Sequence, residues 1–312
     1  MDNKFIVTSS PHLHKKESVR RIMWAVNISL LPTVVAGVLI FGARAAWVMA
    51  LCILSTVAGE AILQKMTHRK VSVSDGSAFL TGLLLAFNLP PQVPFWIPIA
   101  GSFFAIAIGK QVFGGLGQNI FNPALTGRAF LVASWPKYVT TFTAPFTGDA
   151  VTCATPLTLL KEGKVLDNLS YMDLFLGKKG GCIGEVCILA LLIGAAYLLY
   201  KKYITWHIPL TFIAANAVVI WIFGEKALFS GNWLLHILSG GLILGAFFMA
   251  TDYVTSPLTR KGQVIFGAGC GLLTAVLRIW GGSAEGVSYA ILMMNAAAPV
   301  IDRFTGNRVY GS

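Results

Sequence analysis

Charge is scarce in this chain. Only 12% of its 312 residues are Asp, Glu, Lys or Arg, and 55% are hydrophobic, whereas a soluble domain carries about 25% charged residues. With mean hydropathy +0.71, a water-soluble globule is excluded, and most side chains must face lipid or packed protein. Acids are scarcer than cations, 13 against 24, so the net charge is +11. The cations cluster in short segments beside apolar runs, which reads as membrane topology. No aromatic–basic surface or reader motif accompanies them, so no nucleic-acid partner is expected. Cysteine is sparse too. Cys52, Cys153, Cys182, Cys187 and Cys270 are odd in number and irregularly spaced, which excludes a disulfide framework and a ferredoxin-like cluster run. Cys182 and Cys187 read as packing thiols, and no metal is expected. No cleavable leader is expected either: residues 1–16 are polar, and the apolar stretch after Arg21 is long enough to stay as a first membrane helix.

What the chain has instead is apolar segments. A helix needs about 20 such residues to cross the hydrocarbon layer. Ten spans are read, at 22–40, 45–63, 77–89, 95–108, 120–135, 183–200, 207–223, 233–250, 264–280 and 287–301. The distribution of cations tests that count. With the N-terminus inside, the inner segments hold Lys15, Lys16, Arg20 and Arg21; Lys65, Arg69 and Lys70; Lys110; Lys201 and Lys202; Arg260 and Lys261; and Arg303 and Arg308. The short outer connections hold few, such as Arg44 and Lys226. The positive-inside rule therefore predicts two cytoplasmic termini and an external loop over 136–181. Lysines in that loop are tolerable, because long loops follow the rule less strictly.

The expectation is an all-α polytopic membrane protein in three parts: a membrane half over 1–135, the polar loop over 136–181, and a second membrane half over 182–312. An odd number of spans per half would make equivalent halves inverted. Gly82-Leu83-Leu84-Leu85-Ala86-Phe87 loosely matches the segment from Gly241 to Phe247, and Asn122-Pro123-Ala124 lies where Asn295 to Pro299 lies in the other half. Such repeats are common in transporter folds, although Gly- and Ala-rich helices also resemble one another by composition. The third and fourth spans are short, about 20 Å at 1.5 Å per residue. Asn88-Leu89-Pro90-Pro91 ends one of them, since proline removes a donor and biases its predecessor away from helix. Broken backbone at membrane depth must be buried in protein or line a cavity, so a central site is expected there.

The polar loop holds Asp149-Ala150-Val151-Thr152-Cys153-Ala154-Thr155-Pro156. This stretch resembles the flavin-attachment site of the RnfD/NqrB family. That family comprises an integral membrane component of the Rnf ferredoxin–NAD oxidoreductase complex and its relative in the sodium-pumping NADH–quinone reductase. The likeness extends to the segments 74–91, 114–131 and 248–257, in both halves. The resemblance implies a phosphoester joining FMN to Thr155, with Asp149, Thr152 and Ala154 as the motif read by a separate flavin transferase that uses FAD. It also implies a second, non-covalent flavin, riboflavin, to be sought around Asn88, Asn122 and Asn295. Its further implications are a six-subunit complex in a bacterial or archaeal cell membrane, electron transfer between ferredoxin and NAD, and coupled Na⁺ or H⁺ movement. The chain would not be catalytic alone, and membrane lipids would surround it. Cys153 departs from the family pattern, where glycine is common.

Arg128 and Lys137 are candidates to offset the phosphate charge, or else to snorkel at the interface. Asp75 and Asp252 read as helix caps or as ion-path acids. Glu60 is the better intramembrane acid, but its place near the end of the second span also allows solvation. The rival reading is a flavin-free solute channel or transporter with inverted repeats, and a bare structural scaffold is a third.

Overall fold

The computed structural model describes residues 18–146, 152–162, 170–224, 228–282 and 285–306. The described residues are all-α apart from one two-stranded ribbon. Helices α1 (Val19–Ser29) and α2 (Leu31–Phe41) form one 23-residue apolar run. Ser18 starts it by accepting a hydrogen bond from the Arg21 amide, the ordinary work of a serine N-cap. Gly42, at φ +73°, turns the chain into the 24-residue α3 (Ala43–Met66), a conformation glycine adopts without strain. The short α4 (Ser77–Phe87) follows. Next comes α5 (Trp96–Ile106), which runs on as a π-turn over Ala107–Gln111. Helix α6 (Pro123–Ser134) has Asn122 as its cap and proline in its first turn, where a missing N–H costs nothing.

The loop region contains α7 (Pro136–Val139), strand β1 (Phe142–Thr143), strand β2 (Thr152–Cys153), α8 (Pro156–Lys161) and α9 (Tyr171–Leu176). The strands pair antiparallel, Phe142 opposite Cys153 and Thr143 opposite Thr152. The second half holds α10 (Ile188–Tyr200), α11 (His207–Phe223), α12 (Trp233–Leu238), α13 (Leu242–Leu244) with a π-turn over Gly245–Met249, α14 (Arg260–Ile279) and α15 (Val287–Thr305).

The all-α, multi-pass expectation holds. Among the described residues, three runs, Val19–Phe41, Ala43–Met66 and Arg260–Ile279, are long and apolar enough to cross a membrane on their own. Large apolar side chains such as Leu39, Trp47, Leu54, Leu210 and Phe304 stand exposed on the outside, as lipid-facing residues must. The buried core includes Leu85, Phe87, Leu89, Ile183, Phe212, Leu244, Phe248 and Phe266, from both sides of the polar loop.

Two expected spans are interrupted. The one read over 183–200 becomes helical only at Ile188. Before that, the Ile183 amide donates to Leu89 O and the Gly184 amide to Phe87 O, both at 3.0 Å. These carbonyls sit at the broken end of α4, where Pro90 and Pro91 offer no donor. The fit needs glycine, because a Cβ at Gly184 would lie 2.2 Å from that of Phe87. The span read over 233–250 breaks at Ser239-Gly240-Gly241, with Gly240 at φ +68°.

Candidate functional site

Thr155 caps α8. Its Oγ1 accepts from the Thr158 amide at 3.2 Å and lies 2.8 Å from Thr158 Oγ1. The residue is buried, only 4% exposed, while Ala154 beside it is exposed. Thr155 lines a cavity of about 420 Å³, shared with Arg128 of α6, Phe142 of β1, Lys161 of α8 and the segment carrying Glu285 and Tyr289. The loop and two other stretches of chain, α6 and 282–289, thus meet around one hydroxyl.

Arg128 anchors the inner wall. One guanidinium nitrogen donates to Asn88 O at 2.6 Å, Asn88 Oδ1 at 3.0 Å and Cys182 Sγ at 3.4 Å. The other nitrogen pairs with Glu285. A buried arginine needs such partners, and these tie α6 to the broken end of α4 and to the turns before α10 and α15. Cys182, Glu185 and Glu285 bring one ligand atom each within 4.8 Å of one another; Arg128 bonds two of the three, so its guanidinium already supplies positive charge there. Glu185 Oε1 also accepts from the Cys182 amide at 2.8 Å. Lys179 donates to Leu238 O, and burial pushes its ammonium down to about 8.

Of the residues singled out from sequence, Thr155 and Arg128 are brought together. Lys137 is exposed on α7 and does not line the cavity; Lys161 does, and its Nζ donates to Gly281 O. Asp149 lies outside the described residues. Thr152 lends its backbone to the ribbon. Cys153 is half-buried, and burial pushes its thiol up. Its sulfur sits where a Cβ at Gly180 would be, 2.3 Å away. Thr158 was missed, although the spacing Thr155-Pro156-x-Thr158 is a helix-start signature. No local signal could have found Glu285 or Tyr289.

A second polar centre corrects the reading of Lys110 and decides between the two readings of Glu60. Lys110 is not a solvated topology cation. It lies in the π-turn after α5, 1% exposed, with Nζ 2.8 Å from Glu60 Oε1 and 2.6 Å from Ser77 Oγ. Glu60 is the intramembrane acid and is not solvated: it lies inside α3, which runs on to Met66, and is 1% exposed against the π-turn that carries Lys110. Gln111 and Gln64 also donate to Glu60 Oε1, at 2.9 and 3.2 Å. Asp75 behaves as a cap, its Oδ1 taking the Ser77 amide at 2.8 Å. Asp252 accepts from the Val254 amide at 3.4 Å. Asn88, Asn122 and Asn295 do converge. Asn122 donates through its amide to Asn295 Oδ1 and through Nδ2 to Met249 O, both at 3.2 Å, and Asn88 Nδ2 lies 3.7 Å from Met249 Sδ. Beside them is a slot of only about 80 Å³, lined in part by Lys110, Asn119, Asn122 and Asp252.

Comparison with known proteins returns a consistent picture. The model of the NQR2, RnfD, RnfE family matches residues 6–311. The chain is 51% identical over 308 residues to the D subunit of the Na(+)-translocating ferredoxin:NAD(+) oxidoreductase complex of Acetobacterium woodii, covering 98% of this chain and 95% of that protein. It is 47% identical over 321 residues to the D subunit of the proton-translocating ferredoxin:NAD(+) oxidoreductase complex of Clostridium ljungdahlii, covering 99% and 97%. The D subunit of an ion-translocating oxidoreductase complex of Stutzerimonas stutzeri is 40% identical over 329 residues, with 95% and 93% covered.

Proposed function

This chain belongs to the NQR2, RnfD, RnfE family, and we propose from that footing that it carries FMN as a phosphoester on Thr155. It is a membrane subunit of an ion-translocating ferredoxin:NAD(+) oxidoreductase complex, as its relatives from Acetobacterium woodii and Clostridium ljungdahlii are. The other subunits of that complex are its partners. Of these relatives, one translocates sodium and another protons, so the coupling ion is left unassigned.

One observation carries the flavin reading: the motif threonine lines a cavity with two cationic side chains and two aromatic rings. At about 420 Å³, the cavity lies within the 300–1,000 Å³ typical of small-molecule sites. Arg128 and Lys161 would hold the phosphate, and Phe142 and Tyr289 would offer faces to the ring system. Bound FMN would supply electron transfer, which no side chain of the chain provides. The chain's own residues do the positioning. Glu285 and Asn88 fix the Arg128 guanidinium, Thr158 fixes the rotamer of Thr155, and buried Pro156 and Leu157 keep water from the ester side of α8. The covalent bond would prevent loss of the cofactor to water, and a separate transferase would make it.

The second flavin implied by the family resemblance, riboflavin, does not fit the slot beside Asn122. Polar partners are there, but about 80 Å³ is far below the usual ligand range. We further propose that both termini are cytoplasmic and the loop external. Exposed Lys65, Arg69, Lys70, Lys201, Lys202, Arg260, Lys261 and Arg303 support this orientation. The channel reading has no observation in its favour that the family does not explain equally well.

The test is in-gel fluorescence of the denatured chain produced together with its flavin transferase. The wild-type band glows under ultraviolet light, and Thr155→Ala is dark. A dark wild type or a bright variant refutes the assignment.

A further inference from the structure

We propose that the flavin is attached before the segment 152–162 docks on the membrane helices, and that docking then encloses it. This rests on the reading of Thr155 as the flavin acceptor. The transfer is demanding in space. The Thr155 hydroxyl oxygen forms a bond to the phosphorus of the FMN half of FAD. The phosphoanhydride bond breaks, AMP leaves with the electron pair, and the hydroxyl proton passes to a base of the transferase. An in-line displacement needs AMP on the side of phosphorus opposite the threonine, and it needs the transferase around both.

The docked segment offers neither. Thr155 is 4% exposed. Its Oγ1 is engaged by the Thr158 amide and hydroxyl, and the cavity it lines is walled by Arg128 and Tyr289 from two membrane helices. About 420 Å³ suits a mononucleotide, not a dinucleotide held in an enzyme. Three contacts hold the segment down. Strand β2 pairs with β1, Lys161 donates to Gly281 O, and Leu157 is buried against Gly240, where a Cβ would come 2.8 Å from Leu157 Cδ1. Ala154 remains exposed, so part of the motif is visible while its acceptor is hidden. Attachment therefore requires local opening, whose frequency depends on the contacts broken. Once attached, FMN fills the cavity between the loop and the helices and stabilises the docked form, because a group bound only to the closed state shifts the balance toward it.

The test uses the full chain, made without transferase and folded in detergent, then given purified transferase and FAD. Flavin fluorescence is followed over time. Wild type is modified slowly, and Leu157→Ala, which weakens docking without touching the cavity, is modified at least about tenfold faster. Equal rates, fast or slow, overturn the proposal. If Leu157→Ala does not fold, labelling decides in a Cys153→Ser background. Thr155→Cys in the folded, unmodified protein reacts with a maleimide about tenfold or more slowly than Ala154→Cys, and equal labelling overturns the proposal. Co-production with transferase separates the two readings. A dark co-produced wild type defeats the Thr155 assignment itself. A bright one with equal rates in the folded proteins defeats only the order of events.

Discussion

Glu60 and Lys110 each need the other. A lone charge inside a membrane helix is costly, and here the ammonium meets both a carboxylate and Ser77, while Gln64 and Gln111 cover the remaining lone pairs of the acid. Removing one partner of such a buried pair costs about 3–5 kcal/mol. Glu60→Ala is therefore expected to lower the melting temperature of the detergent-solubilised protein sharply. Adding Lys110→Met should recover most of the loss, since no orphan charge is left. A silent single variant would show that water reaches the pair. Cys153 makes a different prediction. Burial raises its thiol, so little thiolate is present at neutral pH and alkylation is slow. Its reaction with iodoacetamide, followed by mass spectrometry, should climb about tenfold per pH unit from 7 to 9. A flat profile over that range contradicts the burial. The same residue departs from the pattern that the resemblance implies. Gly180 makes room for the sulfur, so the cysteine is accommodated by a glycine elsewhere in the loop.

Helices approach closely in this fold where glycine permits it. Helix α14 meets α11 through Gly267 and Gly271. A Cβ on Gly267 would lie 2.7 Å from Ile208 O, and one on Gly271 would lie 2.4 Å from Phe212 O. Small residues one turn apart are the usual means of bringing membrane helices into contact. Gly271→Ala must push against backbone and is expected to cost about 1–3 kcal/mol. Gly269→Ala serves as the control, because the Cβ there meets only the flexible end of Met294, and it should be close to neutral. Comparing the two melts separates backbone clash from a general loss of glycine. The broken end of α4 is a second device of this scale. Its last carbonyls are satisfied by residues 183 and 184 of the other half, which places Asn88 within reach of Arg128. The π-turn after α5 works similarly, inserting Lys110 toward α3 where a regular helix would aim it elsewhere; such turns are frequent at functional sites.

Across the whole molecule, the proposed orientation makes a direct prediction. Ala154→Cys in intact cells, with Cys153 replaced by Ser, should react with a maleimide that does not cross the membrane. Labelling only after the cells are opened would reverse the topology.

Much of this plan was legible in the residues. Hydropathy marked the membrane segments, Pro90-Pro91 marked the broken helix, and Asn122-Pro123 marked the start of α6. These signals are local: a span, a break or a cap is written in consecutive residues and needs no partner elsewhere. Tertiary structure alone decided which charges are solvated and which are buried. Lys110 finds Glu60 across 50 positions, and Arg128 finds Glu285 across 157. The fate of a charge depends on the groups packed around it, and in this fold those come from distant stretches of chain. For the same reason the sequence could single out Thr155, whereas only the fold shows that it is buried at the cap of α8.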